Sequence, residues 1–324
     1  MSAPVPVATP AIGQLRSLWL AWFVVGGLCL MPLLLPGRAL SSLFAWLPLL
    51  SHHVLPEKAL YSPFAYWLLF TLVWWVQSRW PAASSPFFSR ALRQDLFWYL
   101  ASMGLRLLFL GVWAQALVAF YSTHLGFLTL PGVAHWHPLA QFALGVLLAD
   151  FARWLSHLIR HKVPLFWAFH AVHHSQQNLN LFTDARVHPL DRMVSSLITS
   201  LALVLTGNDA PAVILWMVFE TVYPKFYHAN TRLDFGPLRF LLVTPQSHRV
   251  HHGIERRYHD CNFGFIFSFW DRLFGTQFRD HRVYPATGIP DTRFPLEDRE
   301  GHSGPLKTLC SQLIYPFFRW RRLP

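Results

Sequence analysis

Three closely spaced groups of histidines constrain this chain more than any other feature of its sequence. The first group has the spacing HxxxH, and the second and third both have the spacing HxxHH. In chain order they are His157 and His161, then His170, His173 and His174, and finally His248, His251 and His252. Residues three and four apart share one face of a helix, so a helical segment would aim each group in one direction. The repeated spacing therefore predicts helices whose histidine-bearing faces converge.

Such crowding of imidazoles points to metal binding. An imidazole titrates near pH 6.5, and closely packed imidazoles cannot all be protonated, because like charges and poor solvation oppose it. A metal ion resolves the conflict by using the neutral ring nitrogen as a ligand. One structural zinc takes about four ligands, so the set is too large for one zinc and suits two ions. The spacing alone permits zinc, copper or iron.

Two simpler interpretations fit less well. Isolated histidines such as His52, His135 and His302 are expected to be ordinary surface or capping residues, but that explanation does not account for a repeated HxxHH spacing. A zinc protease would carry HExxH, and neither that motif nor any glutamate occurs within the three groups.

Composition and apolar periodicity predict a membrane protein. The chain is 53% hydrophobic and only 13% charged, which is about half the usual charged fraction. Four apolar stretches approach the roughly 20 residues that a spanning helix needs; they are Leu18–Leu35, Pro63–Gln77, Asp95–Tyr121 and Leu139–Ile159. Ser41–Leu55 is broken by polar residues and is predicted to be interfacial or re-entrant.

A further apolar pair, Met193–Leu205 and Pro211–Tyr223, flanks the turn signal Thr206–Asp209 and predicts a helical hairpin. The hairpin would either dip into the membrane or cross it twice. The expected fold class is therefore all-α: a polytopic membrane helical bundle with about four spanning helices and an apolar hairpin, capped by a cytoplasmic histidine-rich helical domain.

The distribution of charge gives an orientation. Basic residues exceed acidic ones by eleven, and such an excess usually lies in cytoplasmic loops. Arg79, Arg90 and Arg93 share a loop, whereas the segment 122–137 has no lysine or arginine. Two predicted spans separate the loop that contains Arg79, Arg90 and Arg93 from Arg160, so both lie on the same, cytoplasmic side. The histidine region that follows Arg160 is therefore expected on the cytoplasmic face. No basic stripe or known module suggests a nucleic-acid partner.

The order of these motifs resembles the fatty acid hydroxylase/sterol desaturase superfamily, whose members are membrane-bound non-haem di-iron oxygenases. The resemblance covers roughly Ala149–Thr276. It extends to the short phrases Arg186–Leu190, His228–Asn230, Thr244–Gly253, Asn262–Gly264 and Trp270–Thr276.

The resemblance implies a site and a reaction. Nine histidines would bind two iron ions: His157, His161, His170, His173, His174, His228, His248, His251 and His252. The reaction would hydroxylate or desaturate an unactivated C–H bond of a lipid from the bilayer, such as a sterol or a fatty acyl lipid, with O2. No flavin or haem signature is present, so a separate ferredoxin or small cytochrome, with its reductase, would supply electrons. The alternatives are a metal-handling membrane transporter or sensor, and a non-catalytic family member.

Four further polar residues are candidates for the surroundings of the metal. Asp150, two turns before His157, is expected either to accept a hydrogen bond from a ligand's second ring nitrogen or to be a plain surface residue. His259 and Asn262 are expected to contact ligands at most, and Asn262 could instead favour a turn. His188 is expected to be a further ligand or a polar residue at the substrate entrance.

These expectations divide the chain into four parts. Residues 1–16 would be a disordered N-terminus, 17–138 an N-terminal transmembrane region, 139–278 the di-iron domain, and 279–324 a soluble or interfacial tail. The protein would be a multi-pass integral membrane protein, in the cell inner membrane of a bacterium or the endoplasmic reticulum of a eukaryote.

Overall fold

A computed structural model of the chain describes residues 63–86, 89–102, 119–206, 216, 220, 222–298 and 304–320. The predicted span Leu18–Leu35 and the interfacial piece Ser41–Leu55 lie outside these ranges, as do the middle of the third predicted span and most of the second hairpin arm. Residues 1–72 and residues 73–324 form two compact units. All of the residues in the candidate site belong to the second unit.

The described part of the chain is helical, in agreement with the all-α prediction. The helices are α1 (Pro63–Arg79), α2 (Pro138–Lys162), α3 (Pro164–His174), α4 (Pro189–Leu205), α5 (Pro245–His251), α6 (Phe269–Leu273) and α7 (Pro305–Trp320). Residues 90–102 are also helical. Extended pairing within the described ranges is limited to isolated bridges, such as Leu242 with Phe267.

Proline marks the boundary that brings the first two histidine groups together. Pro138 occupies the first turn of α2 and Pro164 the first turn of α3, where proline's fixed φ is compatible with a helix and no backbone donor is lost. The residue before a proline is pushed out of the α conformation, and Val163 is indeed extended, with φ −98° and ψ 116°. This single residue ends α2 and redirects the chain, so that the end of α2 lies beside α3.

The helix α2 has the length and composition of a membrane span. Leu139–Lys162 is the one helix within the described ranges that is long and apolar enough to cross a bilayer. Its polar residues include Asp150, which is fully buried, as expected for an ionisable group in such a helix. The other three spans and the cytoplasmic placement of the histidine region stay predictions.

Two apolar clusters hold the histidine-bearing elements in place. Ala149 of α2 packs with Tyr227 and Phe265 in the first cluster. In the second, Ala171 and Val172 of α3 pack with Trp98 and Phe294. The helix α7 packs against α3, and its Gln312 accepts a 2.7 Å hydrogen bond from the Trp98 indole. The C-terminal region therefore supports the face of α3 that does not carry the histidines.

Candidate metal centre

The structure brings the nine predicted histidines together in two adjacent groups. Within each group the donor nitrogens lie within 4.8 Å of one another. The first group is His157, His161, His170, His174 and His251, and the second is His173, His228, His248 and His252. All nine are buried except His161, which is half-buried. The two groups are in contact, since the rings of His174 and His252 stack with their centroids 4.3 Å apart.

Helical geometry explains the division, and it corrects the expectation that each cluster aims in one direction. Successive helical residues are rotated by about 100°, so residues four apart differ by only about 40°, while neighbouring residues diverge. His170 and His174 accordingly belong to the first group and His173 to the second. The third cluster divides in the same way, with His248 and His252 in the second group and His251 in the first. Each HxxHH segment thus contributes to both groups.

The Nε2 atoms of the first group have no hydrogen-bond partner among the residues that the structure describes. This holds for all five of its histidines, whose Nε2 atoms are buried: His157, His161, His170, His174 and His251. Buried polar atoms are nearly always hydrogen-bonded, so five unpaired nitrogens within one small region need an explanation. A metal ion bound between them would use these nitrogens as ligands.

In the second group the Nε2 atoms approach one another directly. The Nε2 of His228 lies 3.2 Å from that of His173 and 2.9 Å from that of His248. The Nε2 of His248 in turn lies 3.1 Å from that of His252. Four ring nitrogens directed at one point are the donor set that a transition-metal ion binds, and the residues of both groups fit such an ion.

Backbone carbonyls hold several of the outer ring nitrogens. His157 Nδ1 lies 2.9 Å from the Phe263 carbonyl oxygen, and His251 Nδ1 lies 2.7 Å from that of Cys261. His228 Nδ1 makes a 2.7 Å bond to the Pro224 carbonyl. Because a carbonyl oxygen only accepts, each Nδ1 carries the proton. This tautomer leaves Nε2 with the free lone pair that a metal requires.

Burial keeps these imidazoles neutral. Burial lowers the pKa of His251 to about 3 and that of His228 to about 4. For His173, His174 and His248, burial and then the neighbouring histidines hold the pKa well below its usual value. A neutral imidazole is the form that coordinates a metal, so these histidines would bind one without releasing a proton near pH 7.

Asp150 does not take the role expected for it beside a ligand. Its carboxylate accepts hydrogen bonds from the Ile266 and Phe267 amides, at 2.8 and 3.2 Å, and from the Trp270 indole at 3.0 Å. Asp150 therefore fastens the loop before α6 to α2. Asp150 therefore acts on the histidine groups indirectly, by holding this loop, which begins beside Phe263. It does not act by accepting a hydrogen bond from a histidine ring.

Three other predicted residues lie outside both histidine groups. Asn262 has a left-handed φ of 55°, donates to the Ser247 carbonyl and accepts from the Phe278 amide, both at 2.9 Å. It is therefore a turn residue that holds α5 in place. His259 is exposed and contacts the Ile254 carbonyl at 3.2 Å.

His188 serves as a connection between helices. Its Nδ1 accepts from the Leu190 amide at 3.2 Å, and its Nε2 donates to the Leu313 carbonyl at 3.1 Å. Both ring nitrogens are therefore in use, and the residue joins the start of α4 to α7.

Two buried aspartates that the motifs did not single out hold histidines of the first group or the carbonyl partners of these histidines. Asp191 accepts from His170 Nδ1 at 3.0 Å and from Arg160 at 3.3 Å. Asp271 accepts from the Phe263 and Gly264 amides, both at 2.8 Å, and so fixes the segment whose carbonyl contacts His157. Asp191 directly follows the phrase Arg186–Leu190 and Asp271 lies within Trp270–Thr276, so the family-like phrases were the available signal.

A buried ion cluster joins the second histidine group to the C-terminal region. The Arg186 guanidinium contacts Asp95 at 2.5 Å and Glu297 at 2.8 Å, while its carbonyl oxygen lies 3.3 Å from His173 Nδ1. Burial raises the pKa of Glu297, but the facing Arg186 outweighs burial and leaves that pKa below its usual value.

Two cavities reach the histidines. A cavity of about 60 Å³, the metal-facing cavity, is bordered by histidines of both groups, among them His157 and His173, and by Arg153 and Glu220. A larger cavity of about 320 Å³ reaches His161, His174 and His251 of the first group, and is also bordered by Trp167 and Asp291. Of these two cavities, the metal-facing cavity is therefore the one that borders both histidine groups.

Comparison with known proteins agrees with this geometry. Residues 142–276 match the family described as fatty acid hydroxylase. The chain is 32% identical over 142 residues to ornithine lipid hydroxylase OlsE of Rhizobium tropici, covering 44% of this chain and 43% of that protein. It is 36% identical over 175 residues to alkylglycerol monooxygenase of Homo sapiens, covering 53% and 38%.

A more distant relative is the very-long-chain aldehyde decarbonylase GL1-5 of Oryza sativa subsp. indica, 26% identical over 171 residues, covering 47% of this chain and 27% of that protein. The chain thus matches less than half the length of these curated relatives. No solved structure matches it significantly.

Proposed function

Because the region of residues 142–276 belongs to the fatty acid hydroxylase/sterol desaturase superfamily, we propose that this chain is a membrane-bound di-iron oxygenase. It would hydroxylate or desaturate an unactivated C–H bond of a lipid, with O2 and externally supplied electrons. The observation that carries the proposal is the convergence of nine buried imidazoles on two adjacent points.

In this proposal each histidine group holds one iron ion. The first ion is bound by the group of five and the second by the group of four. Bound and reduced iron supplies the reaction with O2 and the cleavage of the C–H bond, a chemistry that belongs to the cofactor. The protein supplies neutral Nε2 ligands, and the carbonyls of Phe263, Cys261 and Pro224 orient them. Burial of the rings keeps bulk water away.

The substrate is expected to enter from the bilayer. The helix α2 has the length and composition of a span, and its last turns deliver His157 and His161 to the first group. A metal centre at the end of a membrane helix suits a lipid that reaches it sideways from the membrane. We place the centre on the cytoplasmic side, where a ferredoxin or a small cytochrome can deliver electrons.

The named relatives guide the choice of substrates to test. One relative is named for ornithine lipid, one for alkylglycerol and one for very-long-chain aldehyde. We therefore propose a lipid substrate, and we include ornithine lipids and alkylglycerols among the first compounds to assay.

Two alternative functions, a metal transporter or sensor and a non-catalytic family member, fit the geometry of the site less well. Transporters hold ions near mid-membrane on discontinuous helices, whereas His157 and His161 lie in the last turns of a continuous α2. A non-catalytic family member could dispense with ligands, yet all nine histidines are present and grouped.

The proposal is tested by comparing lipid extracts of cells with and without the chain by mass spectrometry, under isotopically labelled O2. The expected product carries one labelled oxygen, or lacks two hydrogens. His251→Ala should abolish it, because it removes a ligand of the first group, while the exposed His259→Ala should not. An unchanged lipid profile across a broad extract, with iron bound and reduced, would contradict the proposal.

A further inference from the structure

Charged and hydroxyl side chains line part of the metal-facing cavity beside apolar ones such as Val187 and Phe265, although the expected substrate is a lipid. Besides the histidines, the cavity is bordered by Arg153, Ser195 and Glu220. These side chains come from α2, α4 and the helical residue 220, so three parts of the chain place polar atoms around one small space beside both ion positions. A cavity built to hold the middle of an acyl chain would instead be lined by apolar side chains.

Arg153 is held firmly in this cavity. Its guanidinium donates a hydrogen bond to the Ser195 hydroxyl and lies over the Phe265 ring, 4.6 Å from the centroid. It forms an ion pair with Glu220, but the distance from Nη1 to Oε1 is 3.6 Å. That distance is too long for a hydrogen bond, so the two side chains attract each other without satisfying Oε1.

Glu220 accordingly presents an unused acceptor. Its Oε1 is buried, and none of the residues that the structure describes donates a hydrogen bond to it. A buried carboxylate oxygen without a donor is costly. Hydrocarbon cannot satisfy it, whereas a hydroxyl or amine N–H can. The cavity therefore favours a ligand with hydrogen-bond donors.

The volume of the cavity also favours a small polar ligand. Its volume of about 60 Å³ holds roughly four to six water-sized groups, at about 10–15 Å³ each. That is enough for a small polar headgroup but too little for a long alkyl chain.

The outer face of α4 offers a place for the chain itself. Leu190, Met193 and Val194 are exposed apolar residues, 43%, 47% and 38% accessible, while the neighbouring Ser195 is buried and faces the cavity. One helix thus has an apolar outer surface and a polar inner one. A lipid could keep its tail along the outer surface while its headgroup enters the cavity.

We propose that the metal-facing cavity is a headgroup subsite for a lipid that bears hydroxyl or amine groups, with Glu220 accepting a hydrogen bond from the headgroup and Arg153 positioning Glu220. The inference rests on the proposed oxygenase function and narrows its substrate class. The oxidised carbon lies within a few bonds of the headgroup rather than deep in the hydrocarbon tail.

The test uses two photoreactive glycerol monoethers with the same alkyl chain. One carries a diazirine on the alkyl carbon next to the ether oxygen, and the other carries it near the terminal methyl group. The full-length, iron-loaded protein is irradiated with each lipid in nanodiscs, and labelled residues are mapped by peptide mass spectrometry. Labelling requires no turnover, so it reports on the subsite even if the oxygenase assignment fails.

The headgroup-proximal probe should label cavity residues such as Val187 and Tyr227, and the terminal probe should not. Glu220→Met removes the acceptor and should reduce this labelling by at least about fivefold, as the loss of one hydrogen bond would. The exposed Glu255→Gln is the matched control and should leave it unchanged.

Labelling of the cavity by the terminal probe, or by neither probe, would overturn the proposal. So would equal labelling of a folded, iron-loaded Glu220→Met variant. If that variant does not fold, the comparison of the two probes on the unaltered protein decides.

Discussion

His173 and His174 are neighbours in the chain, yet their rings stand at 90° to each other with centroids 5.6 Å apart, and they belong to different histidine groups. The helix α3 therefore forms a shared wall between the two proposed ion positions. In each HxxHH motif the second and third histidines are neighbours in the chain. A rotation of about 100° separates them, so they cannot bind the same ion.

This division predicts selective loss of metal. His174→Ala removes one ligand of five from the first group, and His173→Ala removes one of four from the second. We expect the smaller group to lose its iron more completely, since it has fewer remaining ligands. Metal analysis of purified variants measures this, with His259→Ala as the control that retains iron. Equal and complete loss of both ions in both variants would show that the groups do not bind separately.

Asp191→Asn should weaken the first ion position without removing a ligand. The carboxylate accepts from His170 and Arg160, so its loss frees the His170 ring to reorient. Changes of this kind typically lower metal affinity by about 10- to 100-fold, measurable by competition with a chelator. Asp298→Asn, at an exposed position, is the control. An unaltered affinity in Asp191→Asn would mean that the packing of α3 alone orients His170.

Gly264→Ala should destabilise the protein, because the added Cβ would lie 2.8 Å from the Phe267 carbonyl oxygen and 2.8 Å from Val243. Overpacking of this kind costs about 1–3 kcal/mol. Because Gly264 follows Phe263, whose carbonyl holds His157, bound iron should fall as well. Thermal unfolding and metal analysis measure the two effects. Gly126→Ala, where the nearest atom is 4.0 Å away, should change neither.

The contact between Arg186 and Glu297 predicts a pH dependence of stability. The folded-state pKa of Glu297 lies below its usual value of 4.5, so the unfolded chain binds this proton first as the pH falls. The contribution of the pair is complete above about pH 4.5 and is lost as the pH falls through the folded-state pKa.

Glu297→Gln should therefore lower stability near pH 6 and lower it less at pH values below 4. Unfolding midpoints of both proteins across this range measure the difference. Parallel curves for the two proteins would contradict the assigned role of the carboxylate.

The sequence predicted which histidines lie together, but it did not predict the partners of the polar residues around them, for a physical reason. Spacing along one helix determines which of its histidines share a face, as His170 and His174 do; the repeated motif then indicated that the histidine-bearing helices converge. The partners of Asp150 and His188 depend on loops and on α7, which are distant in sequence. The left-handed turn at Asn262 and the single-residue link at Val163 are likewise local backbone features that have no periodic signal.

The division of each HxxHH motif between two groups was also within reach of sequence reasoning. It follows from the rotation of about 100° between helix positions i+3 and i+4. The approximation that both positions share one face with position i does not take this rotation into account. By contrast, no pattern connects Gln312 with Trp98, because their hydrogen bond spans most of the described chain.

The most direct test of the account is a Mössbauer spectrum and iron analysis of the purified protein loaded with isotopically enriched iron. Two adjacent groups of imidazoles predict two irons per chain, both in nitrogen-rich coordination. One iron per chain, in a protein that retains all nine histidines, would contradict the claim that His157, His173 and their partners form a single paired centre.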